Sequence, residues 1–277
     1  MLVTSRQADA GLRDTVRRKR AAVCLGVLLS TLFAVQVYGQ RLSVKSLRFA
    51  KHFSWISKES ANFDFFYEAD TPAARDIDRI VKSMEDSRAR VERLLGKTSK
   101  LRLQTFFVES RARMKDLIKL ETNAYAYGTI STMVYNDEIE SIGAHQTCHV
   151  LATSLWGDSR EEWVEEGLAV YANDHWRGLP LHSVAKWLLD RDKLVPVAGL
   201  VKNGWQQKHS DEVTYPQLGS FVKFVYEKYG MDGVKQLWKR GAKDAPGALG
   251  KPLNAVEVEW KAELMNVDAS RLEYRVE

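Results

Sequence analysis

Cysteine is nearly absent from this chain: there are two among 277 residues, and one of them, Cys24, lies in an apolar stretch near the start. The body beyond it holds a single thiol, Cys148. That excludes an intramolecular disulfide there and leaves burial, or a bound metal, to supply stability. A strong charge of one sign is missing too. Lys and Arg total 41 against 36 Asp and Glu, and four of the five surplus positive charges fall in residues 1–20. There Arg6, Arg13, Arg17, Arg18, Lys19 and Arg20 are offset by only Asp9 and Asp14. The body is almost neutral, which excludes reading the basic balance as the footprint of a nucleic-acid-binding face. Low-complexity tracts and internal repeats are also lacking. With 45% apolar and 28% charged residues the composition excludes disorder, and it suits one packed domain of roughly 200–250 residues.

Directly after the basic run, residues 21–38 (AAVCLGVLLSTLFAVQVY) carry no charge. Their length lies between a signal-peptide core of about 7–15 residues and a spanning helix of about 20. Val37 and Gly39 flank Tyr38 in a pattern that a signal peptidase could cut, which would start the mature chain near Gln40. Left uncut, residues 21–38 would anchor the chain in a membrane, with the positive charges on the cytoplasmic side. Either way the body is expected on the exported side, periplasmic or extracellular. The chain divides into a leader (1–39), a lead-in (40–62) and a domain (63–277).

Within the body, residues 63–67 read as a strand, and residues 71–95 carry an apolar stripe at helical spacing that ends at Gly96. Residues 101–108 read as a second strand, 111–120 as a short helix and 129–135 as a third strand. Beyond Glu138 the pattern turns helical: residues 141–156, then a helix through Tyr171 opened by a Ser159/Glu162 capping box, then one starting at Pro216 and stopping at Gly230. The expected class is α+β, with a mixed sheet lobe followed by a helical lobe. Gly96, Lys97 and Thr98 imitate the end of a phosphate loop, but Val91 stands where its first glycine belongs, so they read as a helix stop.

Two segments could carry chemistry. In HQTCH, His145 and His149 are four apart, so on a helix they differ by about 40° around the axis and can reach one metal ion. A pair of satisfied core histidines is the other reading of this apolar helix. In WVEEGLAVY, Glu166 lies beyond the first turn, where a solvated, dipole-complementing acid would sit, and Gly167 and Ala169 permit close helix approach. Two imidazoles and one carboxylate, with a fourth position left for water, form the ligand set of a catalytic zinc site.

The stretch 143–171 resembles the gluzincin metallopeptidases, specifically the bacterial peptidase MA-like group, where a HExxH helix is followed by a WxxEGxAxY helix. Residues 63–67, AYAYGTI at 124–130, the YPQLGSFVKFVYEKYG segment and the part around Trp260 look like further pieces of that domain. The resemblance implies a thermolysin-like catalytic domain acting on peptide or protein. It also implies Zn2+ held by His145, His149 and Glu166, a phenol at Tyr215 able to stabilise an oxyanion, and residues 129–135 as the edge strand lining the substrate cleft. One departure stands out. The glutamate that takes a proton from the attacking water is replaced by Gln146, which can orient water but cannot accept a proton. Two functions follow as expectations: a zinc metallopeptidase-like protein with weakened or lost hydrolysis, or a non-catalytic envelope binding or scaffold protein that uses the same cleft.

Overall fold

The computed structural model describes residues 43–276 apart from residue 203. The proposed leader, residues 1–39, lies outside the described residues, among which no helix is long and apolar enough to cross a membrane.

The architecture is mixed α+β, a five-stranded sheet followed by helices. After a short helix α1 (Val44–Arg48), strands β1 (Trp55–Glu59) and β2 (Phe63–Glu68) form an antiparallel hairpin. Helices α2 (Pro72–Arg75) and α3 (Ile77–Leu95) lead to β3 (Leu103–Val108), which runs parallel to β2. Helix α4 (Arg111–Ile118) precedes β4 (Ala124–Tyr127) and β5 (Ile130–Val134). The sheet order is β1-β2-β3-β5-β4.

The stripe expected at 71–95 is broken at Asp76, whose non-helical backbone separates α2 from α3, and the helix ends at left-handed Gly96 as expected. Ile80, Met84, Val91 and Leu95 are buried on one face of α3. The first two join Phe63, Phe65, Phe107 and Met133 in the core beneath the sheet. Two expectations need correcting. The lead-in, which shows no periodic signal, contributes β1, because Trp55 and Ile56 are consecutive and hide the alternation of the strand. The strand at 130–134 is internal rather than the edge: all five of its residues are buried, and β4 pairs along its outer side.

The helical part contains α5 (Ala144–Trp156) and α6 (Glu162–Asn173). A small hairpin of β6 (His175–Trp176) and β7 (Leu179–Pro180) follows, then α7 (Leu181–Leu189), α8 (Val197–Leu200) and α9 (Asp211–Arg240). The chain closes with α10 (Ala245–Leu249) and α11 (Leu253–Leu264). Trp163, Leu168, Leu218, Phe221, Trp238 and Trp260 anchor its core. Helix α9 starts at Asp211, capped by Ser210, five residues before the expected Pro216. Pro216 has no N–H to offer the Glu212 carbonyl, and the Tyr274 hydroxyl donates to that carbonyl instead. Gly230, at φ 68°, breaks the helical path within α9, where the sequence placed a stop.

Candidate metal centre

The site is built on the antiparallel pair α5 and α6. The expected capping box does not form: the N-cap of α6 is Glu161, and the Ser159 hydroxyl donates to the Glu161 carbonyl. The pair is locked from both ends by other means. At one end the Asn173 Oδ1 accepts the Ala144 N–H at 2.8 Å, capping α5, which begins at Gly143 without a side-chain cap of its own. At the other, the Trp238 indole donates to the Gly157 carbonyl at 2.9 Å, and the Arg160 N–H donates to the Trp238 carbonyl at 2.7 Å. The small residue Gly167 faces α9 instead of the histidine helix, with the Leu218 carbonyl 2.9 Å from where a Cβ would stand. Helix α6 is thereby wedged between α5 and α9.

This wedge brings three of the anticipated residues together. His145 Nε2 lies 3.1 Å from His149 Nε2, and Glu166 Oε2 lies 3.3 Å and 3.6 Å from those two atoms. Three ligands at 2.0–2.2 Å from a tetrahedral ion stand about 3.3–3.6 Å apart; both histidine–glutamate distances match this and the imidazole pair is slightly closer, so the spacing is near that of a zinc site. The Glu166 Oε2 atom is buried and has no hydrogen-bond partner. A buried carboxylate oxygen between two imidazole nitrogens needs a positive charge beside it, which a protonated imidazole or a bound metal ion supplies. Burial lowers the His145 pKa. At His149 burial is outweighed by Glu166 and Glu165, and its pKa is raised. Burial resists ionisation of Glu166, but His149 and His145 outweigh it and hold the carboxylate below its usual range. Two neutral imidazoles and an ionised carboxylate are what a metal requires, so binding would displace a proton from His149.

Around this triad the other candidates fall into place. Glu165 lines the cleft, but its Oε1 accepts the His149 Nδ1–H at 3.1 Å, so that oxygen is engaged in orienting a candidate ligand. Gln146 lines the cleft. Tyr215 lies inside α9, its ring 6.3 Å from His145 and stacked on Trp176 at 5.5 Å. Burial foremost, then Glu166, raises the Tyr215 pKa, so the phenol stays a proton donor. Cys148 is buried at 1% exposure in the helical core and is not among the converging groups.

A cleft of about 610 Å³ opens over the triad, lined by β4 and Gly128 on one side and by Asp158, Glu162, Glu165 and Tyr215 on others. Sequence reasoning missed three of its features. Glu162 faces the cleft rather than only complementing the helix dipole, as its i, i+4 spacing to Glu166 signals. The side chain of Gln206 hydrogen-bonds both Glu162 and Tyr215, and nothing in its loop sequence announces that. The edge strand on the cleft is β4. His182 sits on α7 with Nδ1 2.7 Å from Ser220 Oγ and Nε2 3.1 Å from Glu227. His175 is exposed in β6 and accepts the Gly178 N–H.

No family model and no curated protein matches the sequence. Solved structures that resemble the fold include a mutant M1 zinc metallopeptidase from Deinococcus radiodurans, 13% identical over 75% of this chain and 51% of that one, with a TM-score of 0.45. A two-domain M1 zinc metallopeptidase mutant bound to L-arginine is 13% identical, over 76% of this chain and 51% of that one, at a TM-score of 0.47. An aminopeptidase N family protein from Idiomarina loihiensis is 11% identical, over 78% of this chain and 45% of that one, at 0.39. The chain spans about half the length of these proteins.

Proposed function

We propose that this chain is a gluzincin-type zinc metallopeptidase-like protein of the exported side of a membrane, with peptide or protein as its substrate and hydrolysis weakened or lost at Gln146. The observation that carries the reading is the convergence of His145, His149 and Glu166 beneath a cleft bordered by an edge strand. The exported location is supported by the basic run of residues 1–20 and the uncharged residues 21–38.

His145, His149 and Glu166 would hold the ion. Zinc at such a site supplies a Lewis acid for a substrate carbonyl and lowers the pKa of water. The chain's own residues set the limit. The Gln146 amide can orient a water but has no site for its proton, and Glu165 is engaged on His149. The Tyr215 phenol, kept protonated, can donate to a developing oxyanion in the cleft. Peptide main chain can pair along β4, as extended ligands do on open sheet edges. The position of Gln146 also favours a second reading, a non-catalytic envelope protein that holds a peptide in the same cleft.

Zinc analysis of the purified protein and cleavage assays on unfolded protein test the reading. Near-unit zinc in wild type, lost in His145→Ala, is expected, with Gln146→Glu gaining roughly 10²- to 10⁴-fold in cleavage rate. Zinc content that is absent, or that His145→Ala leaves unchanged, would sink the metal site. A zinc-replete Gln146→Glu protein that stays inert favours the binding reading.

A further inference from the structure

The charge lining the cleft is one-sided. Asp158, Glu162, Glu165 and Glu166 line it, and no Lys or Arg is among its described lining residues. A divalent ion in the triad would be offset by the ionised Glu166 and by Glu165, leaving Asp158 and Glu162 uncompensated. Neither forms an ion pair among the described residues. The group that meets Glu162 is the neutral amide of Gln206. Partial burial foremost, with Glu166 and Glu165, raises the Glu162 pKa against the opposing Gln206 bond. Tyr125 and Tyr127 on β4 and Tyr215 on α9 add aromatic surface to the same cleft, of the kind that attracts Lys and Arg side chains. Low-dielectric walls lined by one sign of charge focus the field on an incoming ion.

We propose that the cleft is selective for an extended cationic peptide segment, whose Lys or Arg side chains are received by Asp158 and Glu162 beside the metal triad. The inference rests on the reading of the cleft as a peptide site, and it holds for a working peptidase and for a binding protein alike. It differs from recognition of a free peptide amino terminus, because the cation lies on side chains along the segment.

The test uses the full chain, zinc-loaded, and three labelled unstructured peptides of equal length, rich in Lys and Arg, in Glu, or in Ser and Gln. Acetylated and amidated ends leave side chains as their only charges, and anisotropy titrations are run at low and high salt. The basic peptide is expected to bind at least about tenfold tighter than the acidic one at low salt, with the advantage shrinking as salt screens it. Glu162→Gln and Asp158→Asn should each weaken the basic peptide by about two- to fivefold. They should leave the neutral peptide and the zinc content unchanged. Equal binding of basic and acidic peptides, no binding of any peptide, or a basic preference untouched by both substitutions would overturn the proposal. Zinc content separates its failure from that of the metal reading: a metal-free protein that keeps the basic preference defeats only the metal, and a zinc-replete one without it defeats only the selectivity.

Discussion

Glu165 Oε1 lies 3.1 Å from His149 Nδ1, on the side of the ring opposite Nε2, which points at His145 and Glu166. One helix thus supplies a candidate ligand in Glu166 and, in its neighbour Glu165, the partner that would orient another. A carboxylate on the far nitrogen fixes the tautomer and makes Nε2 a better donor to metal. Glu165→Ala should weaken zinc binding by about 10- to 100-fold, read by competition with a chromophoric chelator, whereas Glu166→Ala removes a ligand and should weaken it further. An unchanged zinc Kd in Glu165→Ala would show that the contact orients nothing.

The ligand helix is held at a fixed distance from α9 by two glycines. A Cβ at Gly167 would stand 2.5 Å from Val222 Cγ2 and 2.9 Å from the Leu218 carbonyl. One at Gly219 would stand 2.4 Å from Val170 Cγ1. The backbone contact cannot be relieved by a rotamer change, so Gly167→Ala should cost about 1–3 kcal/mol and lower the Tm by several degrees. Because Glu166 precedes this residue, zinc affinity should fall with it. Gly167→Ala with native Tm and zinc Kd would mean that the helices are free to separate.

The histidine and glutamate helices were legible because their information is local: i, i+4 spacing for His145 and His149, and the EGLA run for α6. What escaped depended on partners far away in sequence. The start of α9 was hidden because the carbonyl freed by Pro216 is satisfied by Tyr274, 62 residues beyond Glu212. The N-terminus of α5 is capped by Asn173, 29 residues on, so no cap residue stands before it. Strand β5 was mistaken for an edge because its residues do not reveal whether a neighbour lies on one side or two. Tetrahedral spacing of the ligand atoms is likewise a product of packing, here of α6 between α5 and α9.

At the far end of the sheet, Glu85 of α3 clamps the turn between β1 and β2. Its carboxylate accepts from Ser60 Oγ at 2.6 Å, from the Asn62 N–H at 2.9 Å and from Asn62 Nδ2 at 2.7 Å. Burial resists ionisation, but these bonds outweigh it and lower the pKa from its ordinary 4.5. A folded-state pKa below the unfolded one gives stability that is present above about pH 4.5 and is lost as the pH falls through the folded value. Glu85→Gln should therefore cost about 1–3 kcal/mol at pH 7 and flatten the stability profile below pH 4.5 in denaturant titrations. A variant that keeps the acid dependence of wild type would place that dependence elsewhere.

Cys148 sits between the candidate ligands His145 and His149 in sequence, yet its surroundings make it part of the core. It is 1% exposed among Leu151, Trp163 and Leu168, and burial first, then Glu165 and Glu166, raises its thiol pKa. Thiolate is the reactive and metal-binding form, so burial suppresses both roles. In a Cys24→Ser background the native protein should be inert to a disulfide-exchange reagent and react only as fast as it unfolds, then at once in denaturant. Cys148→Ala should keep its full zinc content and lose about 1 kcal/mol of stability for the small volume removed. Rapid labelling of the native protein, or zinc lost from Cys148→Ala, would place the sulfur in the metal site after all.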